Sequence, residues 1–179
     1  MGTVDMAIDH FTTARLTIRT WRPDIEEKSK RRSLEIALSR ILSDRVLEHL
    51  PPPLQLGHES GKISDWVDAR VAESDVLLVF RNTSKDPIGL LIMAPEPGSA
   101  DVATIHFGYL LAEAVWGQGL ATELVSGLAS EMAGKGPIRL VGGVDKRNKA
   151  SARVLSKAGF EIDDSMSAKG TDLFVRVVT

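Results

Sequence analysis

The chain has 179 residues, of which 43% are hydrophobic, and carries 22 basic against 24 acidic side chains. This composition predicts a single globular domain over 1–179, and the balanced charge argues against nucleic acid or a membrane surface as the main partner. The absence of cysteine excludes disulfides, cysteine nucleophiles and thiolate ligands, and the four histidines are widely scattered, so we expect no metal site.

The N-terminal segment, MGTVDMAIDHFTT, has neither the basic region nor the apolar stretch of a secretory signal. No apolar run in the chain approaches the roughly 20 residues of a transmembrane helix. We therefore expect a cytoplasmic protein. Met6 is an equally good start, so residues 1–5 need not be native, and residues 1–11 are candidates for disorder.

The first third of the chain predicts one strand followed by helices. Residues 14–21 alternate apolar and polar side chains, which is typical of a half-buried strand. Asp24 and Glu27 have the spacing of a capping box and predict a helix start. The apolar positions at 34–46 recur every three or four residues and predict one amphipathic helix that ends near the prolines at 51–53.

The remaining pattern predicts a mixed α/β (α+β) fold. The basic cluster at 28–32 is either an anion patch or, more commonly, a solvated helix face. Helices are predicted at 63–73, at 120–132 and at 148–160, where Asn148 is placed to cap the helix. Strands are predicted at 75–82, 88–94, 103–111, 138–144, 160–167 and 171–178.

Two glycines stand directly before the helix that begins at Leu120. The first amides of a helix have no hydrogen-bond partner within the helix. Gly117 and Gly119 leave room for phosphate oxygens to approach these amides, and the small side chain of Ala121 adds little bulk to the first turn. Such glycines often only turn the chain, so this fragment alone is weak evidence. A P-loop is excluded because no lysine and hydroxyl follow, and a dinucleotide fingerprint is excluded because Thr122 stands where its third glycine would be.

The segment YLLAEAVWGQGLATELV resembles motif A of the GNAT superfamily of N-acetyltransferases, whose (Q/R)xxGx(G/A) loop binds the pyrophosphate of acetyl-CoA. More narrowly, it is similar to the Rim-type branch, which acetylates the N-termini of ribosomal proteins. Three further segments agree with that branch in the expected order: TTARLTIRTWRP, SDRVLEHLP and NKASARVLSKAGF.

This resemblance implies a mostly antiparallel central sheet flanked by helices, with a strand–glycine-rich loop–helix site for acetyl-CoA. It implies transfer of an acetyl group to a primary amine by direct attack in a ternary complex, without a metal. The amine would belong to a protein or peptide N-terminus or to a small molecule. Relatives are often dimers, which implies a homodimer.

The resemblance also implies which residues contact acetyl-CoA. Amides of the glycine-rich loop would hold the diphosphate, the backbone at the end of the preceding strand would pair with the pantetheine arm, and the late helix would face the thioester. The implied residues are Leu110, Leu111, Trp116, Gly117, Gln118, Gly119, Leu120, Ala121, Thr122, Asn148 and Ser151.

The chain departs from the family pattern at several places. Trp116 stands where the loop usually has Gln or Arg, Glu113-Ala114 replaces a common Pro-Glu, and Leu155 occupies the place of a frequent tyrosine acid. These departures keep open a catalytically weak or inactive acyl-CoA-binding module. A structural domain whose glycines only form a turn is the third alternative.

His106 is the candidate general base, at a place where relatives often carry glutamate. An imidazole is partly neutral at working pH and can accept a proton from an ammonium. The alternative is a histidine that is hydrogen-bonded for structural reasons. Ser151 is the candidate proton donor to the leaving thiolate, and its alternative is an ordinary first-turn serine.

The acceptor site is less specified by the sequence. Tyr109, the only tyrosine, falls on the core side of its strand and is interpreted as structural. Glu96, Asp101 and Glu113 flank this strand in loops, where carboxylates are usually solvated, and we assign them no role. By resemblance, the region 33–74 shapes the acceptor groove.

Overall fold

A single eight-stranded sheet forms the centre of the computed structural model, which describes residues 7–56, 62–98 and 102–179. The strand order is β1-β2-β3-β4-β5-β6-β8-β7, and every neighbouring pair is antiparallel except β5 and β6. The strands are β1 (His10–Thr12), β2 (Leu16–Thr20), β3 (Asp75–Arg81), β4 (Pro87–Pro95), β5 (Ala103–Leu111), β6 (Ile138–Asp145), β7 (Glu161–Ile162) and β8 (Thr171–Val178).

Helices cover both faces of this sheet, which explains the almost continuously apolar central strands. One core cluster joins the sheet to α5 and α6, and a second joins its other face to α2, α3 and α4. The helices are α1 (Arg22–Glu26), α2 (Lys28–Ile41), α3 (Asp44–Leu47), α4 (Ile63–Glu73), α5 (Leu120–Met132) and α6 (Lys149–Lys157), with single 3₁₀ turns at Pro52–Leu54 and Glu113–Val115.

This architecture confirms the predicted α/β (α+β) class with a mostly antiparallel sheet. The predicted bounds of β5 and of α4 agree with the structure at both ends. The apolar positions of α5 are buried as their spacing predicts, among them Leu124 and Leu128, and Gly134 lies two residues beyond the helix.

The N-terminal third differs from the sequence predictions in three places: the expected disorder of residues 1–11, the capping box at 24–27 and the single helix over 34–46. Residues 10–12 are a strand, and Ile8 and Phe11 are buried in the core, so the expected disorder of 1–11 does not extend over this part. Residues 1–6, 57–61 and 99–101, the last with Asp101, lie outside the described residues.

The predicted capping box is wrong, and the predicted long helix is two helices. Asp24 binds the guanidinium of Arg19 instead of a helix amide, and Glu27 pairs with Lys30. The helix ends at 41, because Ser43 caps a new helix by accepting a hydrogen bond from the Val46 amide at 3.4 Å. The basic cluster at 28–32 is a mostly exposed face of α2.

The one parallel strand pair separates at its carboxyl end. Pairing of β5 with β6 stops at Phe107 and Gly142, whereas β5 continues beside β4 to Leu111 and β6 continues beside β8 to Asp145. A wedge-shaped gap therefore opens inside the sheet, at the edge where α5 and α6 begin. None of the helices formed by the described residues combines the length and apolarity needed to cross a bilayer.

We predict that Gly89→Ala destabilises the fold beside this gap. A methyl group on Gly89 would overlap the Leu110 carbonyl oxygen and the Leu111 side chain, so we expect a loss of about 1–3 kcal/mol in the free energy of unfolding. Denaturant unfolding measures it. Gly108→Ala in the next strand is the matched control, because a methyl group there meets no atom within 4 Å. Equal stabilities of the two variants would contradict the prediction.

Candidate active site

The loop before α5 is built on two glycines in the left-handed region. Gly117 has φ 73° and Gly119, the N-cap residue, has φ 76°. Residues with a Cβ adopt this conformation only at a cost. The turn into the helix therefore requires glycine at both positions, independently of any ligand.

The first turn of α5 presents free amides at the same place. The first helical hydrogen bond runs from the Glu123 amide to the Gly119 carbonyl at 3.1 Å. Consequently the amides of 120–122 have no acceptor within the helix, and the helix dipole adds partial positive charge there. This combination is suited to bind an anion.

The start of α6 is held by a reciprocal pair. The Asn148 Oδ1 atom accepts from the Ser151 amide at 3.0 Å, and its Nδ2 atom donates to the Ser151 hydroxyl at 3.1 Å. The predicted cap by Asn148 is therefore present. Because the Ser151 oxygen is accepting from Asn148, its own O–H is directed elsewhere.

The register of β4 with β5 fixes which backbone groups face the gap. The Thr104 carbonyl accepts from the Glu96 amide and the Ala112 amide donates to the Ile88 carbonyl, so even-numbered residues of β5 direct their backbone groups toward β4. Leu110 belongs to this set.

The backbone groups that face the gap belong to Tyr109 and Leu111. The expectation that Leu110 offers its backbone to a pantetheine arm is thereby corrected in favour of Tyr109, while Leu111 keeps its place. The Leu111 carbonyl already accepts from the indole Nε1 of Trp116 at 2.7 Å. Its amide and both backbone groups of Tyr109 point toward the gap.

A cavity of about 820 Å³ occupies the gap and continues past it. One wall contains α3 and the turn after it, with Arg45, Glu48 and His49. The cavity is also lined by every residue expected to contact acetyl-CoA, namely Leu110, Leu111, Trp116, Gly117, Gln118, Gly119, Leu120, Ala121, Thr122, Asn148 and Ser151. The fold thus brings the predicted contact residues together in one space.

His106 also lines this cavity, from the opposite face of β5 to Phe107. Its Nε2 atom lies 3.0 Å from the Glu96 Oε2 atom, and both side chains are nearly half exposed. If Nε2 carries the proton toward this carboxylate, Nδ1 is left to accept one. The geometry is compatible with a base oriented by an acid partner.

The family is decided by a match to the model of the acetyltransferase (GNAT) domain, which covers residues 15–161. The chain belongs to the GNAT acetyltransferase family. This confirms the family that the motif A segment predicted, and with it the assignment of an acetyltransferase. A search of curated proteins by sequence gave no significant match.

Solved structures share the fold over nearly the whole chain. RimL, a ribosomal-protein alpha-N-acetyltransferase in complex with coenzyme A, is 17% identical and has a TM-score of 0.67, with 95% of this chain and 98% of that chain covered. A probable GNAT acetyltransferase from Chromobacterium violaceum is 22% identical, with a TM-score of 0.70 and coverages of 96% and 87%.

A third similar structure comes from Salmonella typhimurium and is described as modifying the N-terminal serine of a 50S ribosomal subunit protein. It is 18% identical, with a TM-score of 0.65 and coverages of 93% of this chain and 97% of that chain. At these identities the likeness shows the GNAT fold.

Two residues that line the cavity, Tyr109 and His49, and one beside it, Glu96, received no role from the sequence. Glu96 is the partner of His106, and Tyr109 has a buried hydroxyl. His49 lines the cavity with a buried Nδ1 atom that has no hydrogen-bond partner within the described residues. Only the pairing of distant segments reveals these positions, since none of them belongs to a local motif.

Charges at the far end of β6 are arranged around a single carboxylate. The Arg147 guanidinium and backbone amide hold the pKa of Asp145 well below its ordinary value, and His49 across the cavity contributes in the same direction. Asp145 is thus ionised at any working pH. No cluster of three or more His, Asp or Glu side chains in the described part of the chain is placed to hold a metal ion.

Glu113 links the glycine-rich loop to α3. Its carboxylate accepts from the Ser43 hydroxyl and from the Arg45 guanidinium, the latter at 3.1 Å. Arg45 also lies over the Trp116 ring, 5.4 Å from its centroid. Glu113 is therefore a contact between the two cavity walls and not a freely solvated carboxylate.

Glu123 ties the first turn of α5 to the hairpin of β1 and β2. It accepts from the Thr13 hydroxyl at 2.6 Å and from the Arg15 amide and guanidinium at 2.7 Å each. Burial raises the pKa of Glu123, but these hydrogen bonds outweigh it and leave the pKa below the ordinary value of 4.5. Arg15 also donates to the Gln118 carbonyl at 3.0 Å, so the loop itself is held.

We predict a pH-dependent loss of stability in Glu123→Gln. Because the folded-state pKa is depressed, the ionised carboxylate stabilises the fold above pH 4.5, and this contribution disappears as the pH falls through the folded-state pKa. At pH 7 we expect a melting temperature roughly 2–4 °C lower, for a loss of about 1 kcal/mol.

Calorimetry at pH 7 and at pH 3 measures the difference. Glu131→Gln, on the same helix, is the control, since the Glu131 carboxylate has no hydrogen-bond or ion-pair partner among the described residues. A deficit of Glu123→Gln that is equally large at both pH values would contradict the assigned role of the charge.

Proposed function

We propose that this GNAT protein is an acetyl-CoA-dependent N-acetyltransferase that acts on a primary amine by direct attack in a ternary complex. The observation that carries the proposal is the single cavity that joins the free amides at α5, the gap between β5 and β6, and the wall formed by α3. A long cofactor and an acceptor can meet there from opposite sides.

The residues present fit the diphosphate, the pantetheine arm and the thioester of acetyl-CoA. The amides of 117–122 suit the diphosphate, and the free backbone groups of Tyr109 and Leu111 suit the amides of the pantetheine arm, as in strand addition. Asn148 and Ser151 are at the end of the gap where the thioester would lie. The similar RimL structure was solved in complex with coenzyme A, which supports the proposal that this fold binds coenzyme A.

The chemistry requires an amine without its extra proton. His106 would take that proton, with Glu96 holding the ring in place. The neutral amine nitrogen then bonds to the thioester carbon and loses a second proton to water, while the carbon–sulfur bond breaks and its electron pair leaves on the sulfur. Ser151 would donate a hydrogen bond to the sulfur as it becomes negatively charged.

The acceptor would enter along the wall of α3, where Arg45, Glu48 and His49 line the cavity. The similarity to RimL and to the Salmonella protein favours a protein or peptide N-terminus over a small-molecule amine. A Rim-type acceptor, a homodimer, a cytoplasmic location and a single domain over the full 1–179 stay predictions.

We predict that coenzyme A and acetyl-CoA stabilise the protein, whereas ATP and NADH at equal concentration do not. A ligand at 100 times its Kd adds about 2.7 kcal/mol to the folded state, which is several degrees in a thermal scan. Gly117→Ala should reduce this shift, because it strains the loop at φ 73° and adds a methyl group on its open side.

The matched control is Gly98→Ala. Gly98 has a similar φ of 81° and equally open surroundings, but it lies outside the cavity. It should lose stability without losing the ligand-induced shift. A shift that survives in Gly117→Ala, or that is equally reduced in both variants, would contradict a diphosphate site at the loop.

We predict that His106→Gln lowers kcat/KM at pH 7 by about 100-fold or more, the range for loss of a general base. Coenzyme A release can be followed with a thiol reagent without background, because the chain has no cysteine. A panel of short peptides with free N-termini, a polyamine and free amino acids serves as acceptors.

The comparison variant is His49→Gln, which removes the second cavity imidazole. In the wild type, kcat/KM should rise with increasing pH as the base loses its proton. This rise should be absent in His106→Gln and present in His49→Gln. The opposite result would transfer the base to His49. If both variants keep the rise of kcat/KM with increasing pH, the base is not an imidazole.

A further inference from the structure

Tyr109 has a hydroxyl group that the fold leaves without a regular hydrogen bond. The oxygen is buried and no described residue pairs with it, although the ring packs against the larger core cluster. A buried hydroxyl without a partner destabilises the folded state, because it loses its hydrogen bonds to water and gains none in the protein. Phenylalanine would fill the same space without this cost, so the hydroxyl calls for a function.

The surroundings of this hydroxyl point to the reacting end of the cavity. Tyr109 lines the cavity together with Asn148 and Ser151. The Ser151 hydroxyl interacts with that of Tyr109, although the two do not form a hydrogen bond of regular geometry. Since Asn148 donates to the Ser151 oxygen at 3.1 Å, the O–H groups of Ser151 and Tyr109 are both left to donate.

The Tyr109 hydroxyl is neutral under all working conditions. Burial raises its pKa to about 12, and the nearby Ser151 hydroxyl only partly opposes this rise. An ordinary thiol has a pKa of about 8.5, so a thiolate does not remove a proton from such a group. Tyr109 is therefore suited to donate a hydrogen bond and unsuited to act as an acid.

We propose that Tyr109 is a further catalytic residue, which donates a hydrogen bond beside Ser151 to the sulfur of coenzyme A as that sulfur becomes negatively charged. This inference rests on the proposed function. In the step, the amine nitrogen bonds to the carbonyl carbon and the carbon–sulfur electron pair moves to the sulfur. Both hydroxyls keep their protons, His106 takes the proton of the ammonium group, and the proton that the nitrogen loses on forming the amide passes to water.

The first test is Tyr109→Phe, which removes one oxygen atom and keeps the ring. We expect kcat to fall by about 10- to 100-fold, near the low end of the effect of removing one preorganised donor, with KM for the amine unchanged. The melting temperature should stay equal or rise, because an unpaired buried hydroxyl is removed. A purely structural tyrosine would give the reverse: a lower melting temperature with kcat within twofold of the wild type.

Ser151→Ala and the double variant test whether the two hydroxyls act together. Their losses in kcat should combine to less than the product of the single losses, because each variant disturbs the same hydrogen-bonded pair. Ser156→Ala, an exposed position on the same helix, is the control and should keep the wild-type kcat. Fully multiplicative losses would overturn the paired donor.

A second measurement does not depend on turnover. The ultraviolet absorbance of the thiolate reports the pKa of bound coenzyme A directly, since the chain contributes no cysteine. The wild type should lower this pKa below that of free coenzyme A, and Tyr109→Phe should raise it again. An unchanged pKa in the variant overturns the inference, whereas a wild type that binds coenzyme A and acetylates none of the amines overturns the proposed function instead.

Discussion

The separation of β5 from β6 is the constraint on which the rest of this GNAT structure depends. Among the strands that the structure describes, these are the only parallel neighbours, and each continues with a different antiparallel partner beyond Phe107 and Gly142. Helices α5 and α6 begin just past the carboxyl ends of the two strands, so both helix N-termini are directed at the gap. Ligands of open sheets commonly bind at such a point.

The two cavity walls are mechanically connected around this gap. Glu113 joins the loop before α5 to α3 through Ser43 and Arg45, while Glu123 joins the first turn of α5 to the β1–β2 hairpin through Arg15. The segment that would bind the cofactor is therefore fixed from both sides, by groups that do not themselves need to touch a ligand. Preorganisation of this kind lowers the entropic cost of binding.

Sequence reasoning succeeded where the signal is local. Residues adjacent in the sequence determine four features that were predicted: the alternation of β5, the apolar spacing of α5, the glycines at 117 and 119, and the cap at Asn148. The predictions were wrong at 24–27, where no capping box forms, and at 42–43, where the predicted helix is interrupted. At both places a polar side chain has more than one possible hydrogen-bond partner. Asp24 prefers a distant guanidinium, and Ser43 can start a helix as readily as continue one.

The site residues that were missed depend on pairing between strands. Alternation indicates which face of β5 carries Tyr109, but not that its hydroxyl reaches Ser151 on a helix more than forty residues later in the chain. The direction of the Leu110 backbone follows from the register with β4, and the contact of His106 with Glu96 follows from the same register. Periodicity within one strand contains neither relation.

The gap also means that this sheet has an edge in its interior. Within the described residues, both backbone groups of Tyr109 and the amide of Leu111 are left unpaired by the sheet, in the same way as those of an outermost strand, which proteins normally cover or interrupt to prevent adhesion between chains. A coenzyme seated there would act as a short non-peptide strand and close the sheet. An occupied gap would then present no open strand edge to another chain.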